Sequence, residues 1–292
     1  MTKLNNEQSK PFLNRHGYRK GWTWATALFL AYAIVFGISG SWRIFLVAYP
    51  IIPLPVGDCF IQDWTVCPEA NLSGAQLQRA QLHAAKLDKA NLKGVDLWHS
   101  DLSDAHLSEA DITGANMRGA NLSGADLSWS DLSNADLRYA VLEAVDLTGA
   151  ELSYTNMVKA ILPKAKLTQA TLHMTSLTHV VLENADLSHA LLSEVSSVEA
   201  DFDNTNMTNI EIIFSRISDS SLYKANMTHA LLDHVNFAGS NLNSADLRNA
   251  DISSSDFSDC DLTNALFENA SYTLDTIWPE GFEPENKGMI LK

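Results

Sequence analysis

From Ala70 to Tyr272 the chain repeats one five-residue pattern of large apolar, small and polar positions without a break. Near the start of this stretch the text reads ANLSGAQLQRAQL, and near its end ADISSSDFSDCDLTNALF. A large residue occupies every fifth position from Leu72 to Tyr272, which gives 41 central slots. Of these, 27 hold Leu, four each hold Ile, Met and Phe, one holds Tyr, and one, Ser197, is polar. Two residues before each centre lies a small slot, Ala in 25 repeats and otherwise Val, Ser, Thr, Cys260 or Ile210. A period of five matches neither the 3.6 of a helix nor the 2 of a strand. Unbroken repetition at a fixed short period predicts a solenoid, in which each unit covers its neighbours' apolar side.

The physics of the five slots points the same way. A chain that turns a corner once per repeat keeps two positions facing inward. One takes a large side chain and fills the axis; the other must be small because the backbone crowds it. Leu127 and Leu137 are therefore expected in the axis. Ser197 marks an expected weak point, where Leu should be tolerated if space permits. The slot between the two inward ones is Asp in 13 repeats and Asn in 9. Short polar side chains of this kind bond nearby backbone groups at turns. The remaining two slots vary freely and face water.

These A(D/N)LXX repeats resemble those of the pentapeptide-repeat family, over about 70% of the chain. The resemblance implies an all-β fold, a right-handed quadrilateral β-helix with four repeats per coil. Forty-one repeats would make about ten coils and, at ~4.8 Å per stacked strand, a rod roughly 48 Å long. Open solenoid ends expose apolar surface and unpaired edges, so flanking segments are expected to cap them. Residues 57–69 and the tail 273–292 are placed for this, and the tail offers Trp278 and Phe282. Tails of this kind are similar to those that end other pentapeptide proteins.

Ahead of the repeats, Gly21 to Trp42 is a run of 22 residues without a charge. As a helix it would span about 33 Å, enough for a bilayer core. Trp22 and Trp24 stand at one end, Trp42 and Tyr49 near the other, as interfacial aromatics do. Lys3, Lys10, Arg15, Arg19 and Lys20 precede the run against a single acid, Glu7. The positive-inside rule then puts the N-terminus in the cytoplasm and the repeats outside it, in the periplasm if the cell is Gram-negative. A cleaved signal peptide is the alternative; the run is long for one and no A-x-A site follows. Ala33, Gly37 and Ser41 form a small-residue stripe suited to helix pairing. The expected layout is a basic cytoplasmic segment 1–20, a transmembrane helix 21–49, a Pro-rich linker and N-terminal cap 50–69, the β-helix 70–272 and a C-terminal cap 273–292. Pro50, Pro53 and Pro55 make the linker stiff and extended. Cys59 and Cys67 are a candidate disulfide if the compartment is oxidising, and two small packed thiols if it is not.

The formal charge is −15, concentrated in the repeats, where 27 Asp/Glu face 12 Lys/Arg. That excludes binding a nucleic-acid backbone by counterion release but leaves open basic partners, cations, or mimicry of a nucleic acid. No P-loop, G-x-S-x-G, H-E-x-x-H or dinucleotide-binding fingerprint occurs. With four repeats per coil, residues 20 apart stack. His189 and His229 then share a column with Asn209 between, about 10 Å apart, too far for one metal ion. No catalytic, cofactor or metal site is expected, and no enzyme.

The same stacking rule finds two apolar groups on outward slots. Val141, Ile161 and Val181 succeed one another on one side, in the slot usually Asp or Asn. Met174, Leu191, Ile213, Phe214 and Leu231 fall in neighbouring slots of the opposite side. Exposed apolar ladders suit a protein partner or a second copy. Two function classes follow. The first is a membrane-tethered, non-enzymatic scaffold for protein–protein interaction outside the cytoplasm. The second rests on a further resemblance, to the quinolone-resistance pentapeptide proteins: an acidic rod imitating duplex DNA that binds a type II topoisomerase in the cytoplasm.

Overall fold

The structure is a computed structural model and describes residues 54–56, 59–61, 63 and 65–292. All of them belong to one compact unit, Ile51–Lys292. Among the described residues no helix is long and apolar enough to cross a membrane. The span expected at 21–49, with its stripe Ala33, Gly37 and Ser41, lies outside them.

The unit is an all-β solenoid. Residue n pairs in parallel with residue n+20, from Val66↔Lys86 to Asn241↔Asp261 and Asp246↔Leu266. Each 20-residue coil therefore uses four pentads, one per side. We call the sides first to fourth, from the pentads centred on Leu72, Leu77, Leu82 and Leu87. The Leu72 N–H donates to the Asn91 carbonyl (2.7 Å), the Gly74 N–H to that of Lys93 (2.8 Å), and the Asn91 N–H returns to Ala70 (2.8 Å). Backbone polarity is thus satisfied between coils, and no apolar side chain is needed for it. The corner is a turn closed by a bond such as Ala75 N–H to Leu72 carbonyl, 3.0 Å. Its last residue takes a left-handed φ, +67° at Gly74 and +58° at Lys89. For a non-glycine residue that conformation costs roughly 1–2 kcal/mol, a strain the intercoil bonds offset at every repeat.

The inward slots build one continuous core. Leu127 and Leu137 are fully buried, and the Ala residues of the small slot are buried from Ala85 on, Ala70, Ala75 and Ala80 being partly covered. The Asp/Asn slot accepts the backbone N–H two residues on: Ser73 to Asn71 Oδ1 (3.2 Å), Thr113 to Asp111 (3.0 Å), Ser188 to Asp186 (2.9 Å). It also couples coils, with Asn116 Nδ2 donating to Asp96 at 2.8 Å and Asn206 Nδ2 to Asp186 at 3.0 Å.

Extended strands are rarer than coils. The described strands are β1 (Leu54–Val56), β2 (Cys59–Ile61), β3 (Thr171–His173), β4 (Leu191–Ser193), β5 (Ser196–Val198), β6 (Glu211–Ile213), β7 (Arg216–Ser218), β8 (Leu231–Asp233), β9 (Asp251–Ser253), β10 (Ser271–Tyr272) and β11 (Ile290–Leu291). On the first side seven of them make a sheet in the order β11-β10-β9-β8-β6-β4-β3, and β5 pairs with β7 on the second. Seven strand levels stand against the ten or so coils expected; elsewhere single bridges hold the stack. Four of the strands, β4, β5, β7 and β8, end at a corner where Ser fills the small slot of the coil above. There the turn amide has an alternative acceptor: Val195 N–H donates to Ser215 Oγ (3.0 Å), Ala200 N–H to Ser220 Oγ (3.1 Å), Val235 N–H to Ser255 Oγ (3.1 Å).

Both ends depart from the plain repeat. At the N-terminal end the stack already begins at Val66, with Thr65 in the small slot, Cys67 in the central slot and Cys67 N–H bonded to Lys86 (2.8 Å). β1 and β2 pair antiparallel beside it, and Cys59 and Cys67 are joined, their Cα atoms 6.0 Å apart. At the other end the tail slips by one residue, so that Ile277 pairs with Asp256. Trp278 then occupies the next central position and stacks on Phe257 (5.0 Å between ring centres), and Phe282 stacks on Trp278 (4.9 Å). β11 adds a last parallel strand to β10.

Candidate functional site

Val141, Ile161 and Val181 form a direct ladder on the third side, paired Val141↔Ile161 and Ile161↔Val181. Val141 and Ile161 are 36% and 43% exposed, and Val181 is half-buried. An apolar side chain in this slot cannot accept the amide that Asp would. At Ile161 the need vanishes, because the residue two positions on is Pro163, which has no N–H. The ladder is bordered by the ion pair Lys164–Glu143 (3.5 Å). Asp201, next above Val181, has its carboxyl pushed above the ordinary carboxylate range, chiefly by burial.

The opposite group is less continuous. Leu191 and Leu231 are separated in their column by Glu211, and Ile213 lies between Ser193 and Asp233. Phe214 is 62% exposed, with the His234 ring 4.8 Å away. Met174 is exposed, one coil below Glu194 in Phe214's column. The first side thus carries isolated apolar groups amid carboxylates, where the third carries a contiguous strip.

The outward slots carry a second feature, in charge rather than in apolar residues. Four of the solenoid's five arginines, Arg79, Arg118, Arg138 and Arg216, stand on the second side. The Arg79 guanidinium lies over the Trp98 ring (4.8 Å), and Tyr139 has Arg118 at 5.5 Å and Lys159 at 5.9 Å. Arg138 is held by two bonds to Asp136 (2.8 Å from Nε and 2.5 Å from Nη2), which keep that carboxyl below its usual range. Higher on the same side stand Glu199, Asp219 and Asp259, all exposed. The segregation is written in the sequence at the same 20-residue step that stacks the apolar ladder.

Cys260, the free thiol among the described residues, is buried, its pKa pushed up to about 12 by that burial, and its Sγ donates to the Phe237 carbonyl (3.1 Å). Among the described residues no group of three or more His, Cys, Asp or Glu is placed to hold a metal ion.

The model for pentapeptide repeats matches in eight copies over residues 64–213 and 220–269. The chain belongs to the pentapeptide repeat family. A comparison with curated proteins found no match. Among solved structures the chain is similar to HetL of the cyanobacterium Nostoc sp. strain PCC 7120, a pentapeptide repeat protein involved in heterocyst differentiation regulation. Identity is 27%, over 75% of this chain and 89% of that one, with a TM-score of 0.48. A pentapeptide repeat protein of the Arabidopsis thaliana thylakoid lumen is 30% identical over 34% of this chain and 63% of its own (TM-score 0.26). Full-length QnrB1, a plasmid-mediated fluoroquinolone resistance protein, is 14% identical over 78% of this chain and 93% of its own (TM-score 0.26). Membership in the family rests on the repeat.

Proposed function

We propose that this pentapeptide repeat protein is a non-enzymatic scaffold, tethered to a membrane by residues 21–49, whose solenoid docks a protein partner outside the cytoplasm. The third-side ladder Val141–Ile161–Val181 carries this reading. Three β-branched side chains in direct register form a flat apolar strip, in a slot that elsewhere holds Asp or Asn. Such a strip costs solubility unless a partner covers it. The extracytoplasmic placement is supported by the basic segment before residue 21 and by the Cys59–Cys67 link, which persists in oxidising compartments. Pentapeptide repeat proteins generally serve structural and interaction roles, which fits a scaffold without turnover.

The ladder is tested by crosslinking in intact membranes, wild type against Ile161→Asn and Val141→Asp. Both changes restore the common polar slot and leave the core untouched, so circular dichroism should be unchanged. The crosslinked adduct should fall at least about tenfold, the effect of removing a central interface contact. An adduct of undiminished yield in both variants would rule the ladder out as the docking surface.

A further inference from the structure

We propose that the second side of the solenoid is a homodimer interface, on which a second copy of this chain docks antiparallel, the basic half of each against the acidic half of the other. This surface is separate from the third-side ladder and does not depend on it.

The polarity of the side is the first observation. Its lower half carries Arg79, Arg118, Arg138 and Lys159, opposed only by Asp96 and Asp136. Of these two acids, Asp136 is held by Arg138 and Asp96 accepts from Asn116. Its upper half reverses the sign, with Glu199, Asp219, Asp256 and Asp259 against Arg216 alone. Among the described residues Arg79, Arg118, Lys159, Asp219 and Asp259 have no ion-pair partner. These five charges are exposed or unpaired, while Arg138 is shared with Asp136 and Glu199 lies 3.4 Å from His179, on a chain whose other sides are acidic.

The spacing is the second observation. Residues 20 apart stack, so positions along one column convert directly into height. The point midway between Arg79 and Asp259 in their column falls between Lys159 and His179. The midpoint of Gly119 and Asp219 falls at the same height, and Arg118 is the neighbour of Gly119. So does the midpoint of Tyr139 and Glu199, and Arg138 is the neighbour of Tyr139. A two-fold axis at that height, lying across the side, brings Arg79 to Asp259, Arg118 to Asp219 and Arg138 to Glu199 of the second copy. Each pair occurs twice, as an isologous contact requires. Both copies have the same coil rise, so the register holds along the whole side without adjustment.

The surface near that axis permits close approach. Val158, Thr178 and Val198 are half-buried, and Ser218 is buried. The arginines that must reach are pre-set by their rings: Arg79 against Trp98 and Arg118 against Tyr139. Stacking removes part of the side-chain freedom that docking would otherwise cost, and the planar fork suits a carboxylate. A nucleic acid is the less suited occupant. Its one charge per nucleotide would run past the acidic upper half and lie within a Debye length, about 8 Å at physiological salt, of the acidic neighbouring sides.

The test uses the full chain in detergent, its mass measured by sedimentation at low and high salt. The wild type should be dimeric at low salt and dissociate as salt rises. Arg118→Glu with Arg138→Glu reverses the central charges of the basic half, and Glu199→Lys with Asp219→Lys reverses those of the acidic half. Each double variant should dimerise at least about a hundredfold more weakly, because two of the three attractive pairs, each occurring twice, become repulsive. Mixing the two variants in equal amounts should restore a dimer, now mixed, and placing all four changes in one chain should restore self-association. Circular dichroism controls for folding. A monomeric wild type, an unchanged mass in the two double variants, or failure of the mixture to pair would overturn the proposal. A salt-resistant dimer lost only on Ile161→Asn would also overturn it and move the self-contact to the ladder, so the two readings fail separately.

Discussion

A hydroxyl in the small inward slot and a hydroxyl in the large one have opposite consequences. Ser215 Oγ accepts from Val195 and donates to the Ile213 carbonyl at 2.9 Å, so its polarity is spent on the backbone that crowds it. Ser197, in the large slot, is fully buried, and its Oγ has no hydrogen-bond partner among the described residues. An unpaired buried hydroxyl costs about 1–3 kcal/mol. Ser197→Ala should therefore raise the unfolding free energy by about 1 kcal/mol or more. Ser197→Leu, which the repeat alone suggests is tolerable, should behave differently. The next large-slot residue of the same coil is Phe202, fully buried and larger than the usual Leu. Extra volume beside it should cost about 1–3 kcal/mol through overpacking, while Leu at both positions should recover most of that loss. Denaturant unfolding of the three variants decides the matter: a stabilised Ser197→Leu single variant would show that Phe202 does not fill the missing volume.

The turn that closes each pentad is also where the acidic slot contributes. The carboxyls of Asp111, Asp136 and Asp246 lie below 3.8, their ordinary value, through bonds from Thr113, Arg138 and Arg248 respectively. With folded pKa values depressed, the unfolded chain binds more protons near and below pH 3.8, and stability rises with pH there. The stabilisation is present above about pH 4 and is lost as pH falls through the folded values. Asp201 has the opposite sign, because burial raises its pKa; Asp201→Asn should gain stability at neutral pH. The check is the thermal midpoint against pH, and a midpoint flat from pH 5 to pH 2 would contradict the role given to these turns. The five-residue period made the core, the turn slot and the Val141–Ile161–Val181 ladder legible, because each depends only on which slots face inward and which residues stack. Other features depended on identities the period does not encode. Strands β4, β5 and β8 end where Ser215, Ser220 and Ser255 offer hydroxyls, the first pentad hides behind Cys67, and the tail re-enters the pattern after a one-residue slip that sets Trp278 on Phe257. The charge reversal along the second side was readable in principle, but charge summed over the whole repeat region cancels it from view.

At the scale of the whole molecule, the proposed membrane tether makes sidedness the question that decides what can meet the solenoid. Orientation rests on five basic residues, Lys3, Lys10, Arg15, Arg19 and Lys20, set against Glu7 before the uncharged run Gly21 to Trp42. Charges this close to the end of a span are the ones that count, and in the proposed topology they put that end in the cytoplasm. The solenoid's acidity opposes no such placement, since Asp and Glu contribute little to orientation. A reporter that works only outside the cytoplasm, fused after Lys292, should therefore be active, and one that works only in the cytoplasm should be silent. Replacing all five basic residues with Gln should weaken or invert the result, which separates an effect of charge from one of the fusion. A cytoplasmic C-terminus in the wild type would remove the extracytoplasmic partner. It would favour a cytoplasmic acidic rod of the DNA-mimicking kind, and would place Cys59 and Cys67 where thiols are kept reduced. The antiparallel dimer would survive that outcome, because its charges sit on the solenoid itself and need no membrane to meet.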